Sequence, residues 1–454
     1  MAGRNAFRFA PGVVIFQIAI VAVACAAPAP SATAGPPDMG EDWTLTFESE
    51  FEKPAAASKD DTLQVEVYDT LAPESDNAKW EYRKGPNKQA YAVEGNAFIS
   101  EREGSAESVL VLRTSEDNSG DGNFSNPMRT GYVRTRNYRN TGPDEEMRFA
   151  QRYGYFEARM ILDTAPGQWG AFWLMPFKSI WCADASGRDG TEIDIVEGYP
   201  RKGSSNFNRD KSVHFAIHYD GYRSFHQKEI QPFPADGQGR NFPNFDASEF
   251  HTYGLLWTPD KYVWYVDGYP VHEINDPDQI AQVPKYVKLS TEVAEWSGQL
   301  NSKHFPADTM VDWVRVWQTD RLAKGNPYIF EVEDESVERA PGVSTQSLKA
   351  GTWCESVFAK TERAQPGRIT IPISDAVHTN HIGIRVSNPQ DASSRLELHV
   401  DGKIQRVWNE IDLDSLFILK HGFDAMIADE IEIVWSGGIA IDQVYLIPSK
   451  PVLN

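Results

Sequence analysis

Three cysteines in 454 residues cannot staple a chain of this length, and they exclude a disulfide-built fold. Cys25 lies near the N-terminus, and a bond between Cys182 and Cys354 would have to bridge two domains, so both are expected as unpaired thiols. No metal-type Cys/His spacing and no catalytic Cys/His pair is present. Long apolar runs are also scarce: Gly12 to Ala27, interrupted by Gln17, falls short of the ~20 residues of a membrane span. Positive charge is in deficit, 44 Lys and Arg against 65 Asp and Glu, and the net charge of −21 argues against nucleic acid and anionic membrane surfaces. It also weighs against a highly anionic polymer as ligand, although screening over ~8–10 Å leaves local charge free to differ from the total. Amphipathic helix patterns are few.

What the chain has instead is β-type sequence. From Trp43 onward, short runs such as Trp43-Thr44-Leu45-Thr46-Phe47, Val109-Leu110-Val111-Leu112 and Gly131-Tyr132-Val133-Arg134-Thr135 alternate with turn residues, which predicts an all-β sandwich. Asp267-Gly268 and Asp401-Gly402 mark tight hairpins. Ahead of this, Arg4 and Arg8, the apolar run and the small residues after it read as an export signal over 1–25. Ala22-Val23-Ala24-Cys25 is close to a bacterial lipoprotein box, so Cys25 either carries a lipid or lies beside an ordinary cleavage site. Residues 26–41, rich in Pro and Ala, read as a tether. The first β domain is assigned to 42–320, a linker to 321–327 and a smaller β-sandwich to 328–450.

The segment Gly190-Thr191-Glu192-Ile193-Asp194-Ile195-Val196-Glu197-Gly198 places three carboxylates among β-branched residues. On a strand, Glu192 and Asp194 share one face and Ile193 and Ile195 the other. Strict alternation sends Glu197 to the Ile side, so either it is an ordinary outward charge or Ile195 or Val196 is taken up in a β-bulge, which also bends the strand. Along a straight strand Glu192 and Glu197 would lie ~16 Å apart at Cα, so convergence needs a concave surface. Two carboxyl groups ~5–5.5 Å apart suit a retaining glycosidase. A solvated acidic edge or a calcium site would use the same triplet.

Four further segments accompany it in order: Tyr153-Gly154-Tyr155-Phe156-Glu157-Ala158-Arg159, Gly170-Ala171-Phe172-Trp173-Leu174-Met175-Pro176, Phe250-His251-Thr252-Tyr253-Gly254 running to Trp257-Thr258-Pro259-Asp260, and Val311-Asp312-Trp313-Val314-Arg315-Val316-Trp317. Together they resemble the family-16 glycoside hydrolases over about residues 42–320. The resemblance implies a jelly-roll catalytic domain, with Glu192 as nucleophile, Glu197 as general acid/base and Asp194 tuning the pair. It further implies an exported, endo-acting, retaining β-glycanase and no cofactor for catalysis. A β-1,3-glucan is the leading substrate. An agar-like or other β-galactan is the alternative, since Leu289-Ser290-Thr291-Glu292-Val293-Ala294-Glu295-Trp296 departs from the glycine-rich stretch of laminarinases. A non-catalytic polysaccharide-binding protein on the same fold is the rival from another class.

Sugar contacts are expected from Trp173, Trp169, Glu292, Trp296 and His214. His214 and His218 share a strand face ~13 Å apart, too far to chelate one zinc ion. The resemblance implies a structural calcium held by Glu50, Gly95 and Asp312. The C-terminal domain faintly resembles a carbohydrate-binding β-sandwich module. A monomer is expected.

Overall fold

The computed structural model describes residues 35–448 apart from 53–79, 83–84, 88–89, 102–107, 117–127, 137–147, 163–165, 177–185, 189, 199–212, 223, 234–241, 243–244, 295–296, 299–301, 326–327, 351–353, 362–365, 388–393 and 410–415. The export segment, Cys25, Cys182 and Trp296 therefore lie outside the described residues.

Alternating β-branched and aromatic residues build four antiparallel-dominated sheets. The first two face each other. The larger, of 11 strands, is centred on His251–Trp257, Gly154–Ile161 and Ala307–Gln318, so three of the sequence motifs lie side by side in it. The second has seven strands in the order Gln227–Phe233, Val213–Tyr219, Glu192–Gly198, Gln168–Pro176, Lys285–Val293, Tyr132–Arg134 and Glu81–Tyr82. One continuous core fills the space between them and includes Phe156, Phe172, Leu174, Ile193, Val287, Leu289 and Trp264. This is the sandwich that the strand pattern predicts, in the jelly-roll form that the resemblance implies. The sheets approach closely where Gly170 pairs with Gly198: a methyl group on Gly170 would meet Thr309 Oγ1 of the opposite sheet at 2.4 Å.

The hairpin signals are realised as expected. Asp267 and Gly268 take φ of 48° and 77°, and Asp401 and Gly402 take 48° and 71°, the left-handed pair that a two-residue turn matching strand twist requires.

The linker expected at 321–327 begins differently. Asp320–Ala323 forms a one-turn helix in which Thr319 Oγ1 accepts from the Leu322 backbone N–H at 3.2 Å. Leu322 is buried in the first core, so this end of the segment belongs to the first sandwich. Two smaller sheets, of six and five strands between Ile329 and Pro448, enclose a separate core of Ile369, Ile371, Ile384, Leu398, Ile433 and Trp435. Arg188 of the first sandwich lays its guanidinium 3.7 Å from the ring centre of Tyr445 in the second.

Candidate active site

The Glu192–Gly198 strand carries a bulge. Against Val213–Tyr219, Glu192 pairs with His218 and Asp194 with Ala216, but Glu197 pairs with His214, so Ile195 and Val196 together oppose Phe215 alone. Against Gln168–Pro176 the same shift appears, since Trp173 meets Asp194, Phe172 meets Val196 and Ile195 is passed over. The cause is legible locally: Ile195 and Val196 are both fully buried in the core. Alternation would have exposed one of these adjacent apolar side chains on the polar face, and the extra residue buries both. The consequence is that Glu197 returns to the face of Glu192 and Asp194. Its partner His214 lies four residues from His218, so the span between the two glutamates shortens to ~13 Å along the sheet, which long side chains leaning over a concave surface can close.

Glu192 is partly exposed, whereas Asp194 and Glu197 are buried, Glu197 at 4%. One side-chain ligand atom from each of Glu192, Asp194 and His218 lies within 4.8 Å of the other two. His218 Nε2 is 3.5 Å from Asp194 Oδ2, and its Nδ1 is 2.8 Å from His226 Nε2. Burial and then the Lys228 charge push the His226 pKa down, which favours a neutral ring. With His218 Nε2–H directed at Asp194, His218 Nδ1 accepts from His226 Nε2–H, and the two rings stack at 5.0 Å. The Tyr222 hydroxyl donates to Glu192. The strand is also pinned from behind. Trp264 Nε1 of the opposite sheet donates to the Asp194 carbonyl at 3.1 Å, and buried Lys285 donates to the carbonyl of Thr191, immediately before Glu192.

Pairing registers assign the floor of the groove. Trp169, Ala171 and Trp173 line up with Glu292, Ser290 and Lys288, on the face opposite Phe172 and Leu174. Trp173 lies beside Asp194 on this floor and donates its Nε1–H to Ser290 Oγ at 3.0 Å. Lys288 Nζ lies 3.2 Å from the Trp173 ring centre, with Tyr132 and Tyr286 at 5.4 and 5.8 Å. One indole face thus carries an ammonium group. Trp169 is nearly closed to solvent beside Ala171 and Ala294. Glu292, 2% exposed, and His214 are buried on this face. His214 stands next to Glu197 and Glu292 next to Trp169 on that same face.

The carboxylates expected at calcium are engaged by arginines. Glu50 accepts from Arg315 Nε and Nη2 at 2.7 and 2.9 Å, and Asp312 is paired with Arg159. Gly95 lies in the Glu94–Asn96 turn. A calcium ion would have to displace a bidentate guanidinium from Glu50.

Tyr222, His226 and Lys288 reach the site without having been marked in the sequence. Lys288 was legible in principle, since it precedes the Ser290–Glu292 alternation on the same strand. Tyr222 and His226 belong to a loop whose path follows no periodicity.

Residues 100–315 match the family model for glycosyl hydrolases family 16. Among curated proteins, the chain is 28% identical over 173 residues to endo-1,3-1,4-beta-glycanase ExsH of Rhizobium meliloti, covering 38% of this chain and 32% of that protein. It is 26% identical over 279 residues to glucan endo-1,3-beta-glucosidase A1 of Niallia circulans, covering 54% and 36%. A beta-glucanase of Rhodothermus marinus is 30% identical over 179 residues, covering 37% and 57%. The chain thus spans 32% and 36% of the first two relatives and rather more of the third. The ordered motifs, the sandwich that brings them together and this match make residues 100–315 a family-16 glycoside hydrolase domain.

Proposed function

We propose that this protein is an endo-acting retaining glycoside hydrolase that cuts internal β-linkages of a polysaccharide, with β-1,3-glucan as the substrate. The single observation that carries the reading is the bulge at Ile195 and Val196, which returns Glu197 to the face of Glu192 and Asp194. Three acids on one face of the sheet, next to a tryptophan, are the side chains a two-step displacement at an anomeric carbon needs. One of the relatives is named a glucan endo-1,3-beta-glucosidase and another an endo-1,3-1,4-beta-glycanase, which supports a 1,3-linked substrate with glucan as the choice of sugar.

In the proposed mechanism a Glu192 oxygen attacks the anomeric carbon, forming a glycosyl ester as the C–O bond to the departing sugar breaks. Glu197 passes its proton to that departing oxygen. Water then attacks the same carbon, Glu197 takes the water proton, and Glu192 leaves as a carboxylate. Asp194, held by His218 and by the Trp264 bond to its main chain, keeps the strand and the local charge in place. Export through the N-terminal apolar segment, with or without a lipid on Cys25, accords with a polymeric substrate that does not cross membranes. A calcium ion at Glu50, Gly95 and Asp312 is at most structural in this scheme.

Replacing Glu192 by Gln is expected to abolish release of oligosaccharides from laminarin while leaving retention by the insoluble polymer near normal. Full turnover by that variant would sink the assignment of the nucleophile. Sizing of products from laminarin, lichenan, agarose, carrageenan and arabinogalactan tests the sugar: cutting of agarose or carrageenan but not of laminarin would move the substrate to a β-galactan.

A further inference from the structure

The loop after Val213–Tyr219 turns back over the carboxylates. Asp220 and Gly221 take φ of 59° and 72°, two successive left-handed residues that reverse the chain. Tyr222 then places its hydroxyl on a carboxyl oxygen of Glu192, with Met175 Sδ 3.9 Å from the same hydroxyl. Its ring packs edge-on against His226 at 5.7 Å, and His226 is in turn stacked on and bonded to His218. The tyrosine is therefore braced by His226, which in turn bonds the imidazole beside Asp194.

We propose that Tyr222 is a positioning residue for Glu192: its O–H holds one carboxyl oxygen so that the other is presented to the anomeric carbon. The inference rests on the reading of Glu192 as nucleophile. Tyr222 gives up no proton in either step. During attack the carboxylate charge is consumed in the ester, and the hydrogen bond slackens. When water releases the sugar the charge returns to Glu192, and the hydroxyl stabilises it as leaving group. The donor is available throughout, because burial, and after it the Glu192 carboxylate, push the phenol well above its ordinary pKa and keep it protonated.

An alternative role, a wall that merely touches sugar, predicts different kinetics. Tyr222 is 40% exposed as a whole residue although its hydroxyl end is buried against Glu192, so Tyr222→Phe removes one oxygen and leaves the ring in place, and an unaltered melting temperature confirms an intact fold. Wild type and variant are compared on whichever panel polysaccharide the wild type cuts. Expected is a kcat lowered roughly 10- to 100-fold with KM within about three-fold, because a bond to a charged group is lost and not a sugar contact. The acidic limb of the kcat/KM profile should also move to higher pH, since a carboxylate without its donor holds its proton more tightly. Phe225→Ala, at a side chain on the same loop that is 67% exposed, should leave kcat within about two-fold. A Tyr222→Phe enzyme with wild-type kcat and pH profile overturns the proposal, as does one altered only in KM. A wild type inert on every polysaccharide instead removes the functional reading beneath it.

Discussion

Glu157 is a fully buried carboxyl in the large sheet, facing Arg315 on one neighbouring strand and Gly254 on the other. It accepts the Tyr155 hydroxyl at 3.1 Å. Burial pushes its pKa from 4.5 to about 8, against the opposing pull of the Tyr155 bond and the Arg315 charge. The sign follows from which state holds the proton: between those values the folded chain keeps it and the unfolded chain releases it. The associated stability is therefore whole below about pH 4.5 and drains away as pH rises towards about 8. Glu157→Gln, which keeps an acceptor and cannot ionise, is expected to match the wild type near pH 5 and to melt higher at pH 9. Equal pH dependence of the two melting curves would show that Glu157 is not a source of the loss. The motif Tyr153–Arg159 was visible in the sequence, but its role there was only that of a family marker. That Glu157 is protonated follows from burial, which no spacing announces.

At the scale of elements, one residue of slack decides which face an acid occupies. Alternation alone puts Glu192 and Asp194 together and Glu197 elsewhere; the bulge reverses the last of these. Deleting Ile195 would leave Glu, Asp and Glu at alternate positions of an unbulged strand, all on one face, so measurable hydrolysis is expected to survive. Deleting both Ile195 and Val196 would return the second glutamate to the core side, and activity should vanish. Activity in the double deletion, measured on laminarin in a folded sample, would refute the role of the bulge. The sequence left the bulge as one of two possibilities, and adjacent Ile195 and Val196 were the clue. Only the opposite sheet, whose Trp264 bonds the Asp194 carbonyl, shows that both side chains have a core to enter. The terminal helix teaches a similar lesson. Thr319 and Asp320 are ordinary capping residues, yet the segment reads as linker until Leu322 is seen to belong to the first core.

Across the whole molecule, two separate cores meet through identifiable side chains. Arg188 donates Nη1–H to the Pro277 carbonyl at 3.0 Å and covers the Tyr445 ring, four residues ahead of Glu192 in the chain. At the linker, a methyl group on Gly325 would meet Arg152 Nη2 at 2.1 Å, and Arg152 also reaches the Gln282 carbonyl. The second sandwich thus touches, through Tyr445, the residue four positions ahead of Glu192. Arg188→Ala is expected to divide one calorimetric transition of the full chain into two, with kcat lowered several-fold at most, because the cation–ring contact contributes ~1–2 kcal/mol when desolvated. A wild-type profile already split in two would show the sandwiches to be energetically independent.

Composition and alternation by themselves determined that the chain is all β, that its hairpins fall at Asp-Gly pairs and that Glu192 and Asp194 share a face, because these depend on neighbours one or two residues away. The sidedness of Glu197, the ammonium on Trp173, the arginines on Glu50 and Asp312 and the Tyr222 hydroxyl on Glu192 were decided only by the tertiary structure. Each depends on a partner strand or loop distant in sequence, and no local pattern specifies which side chain arrives there.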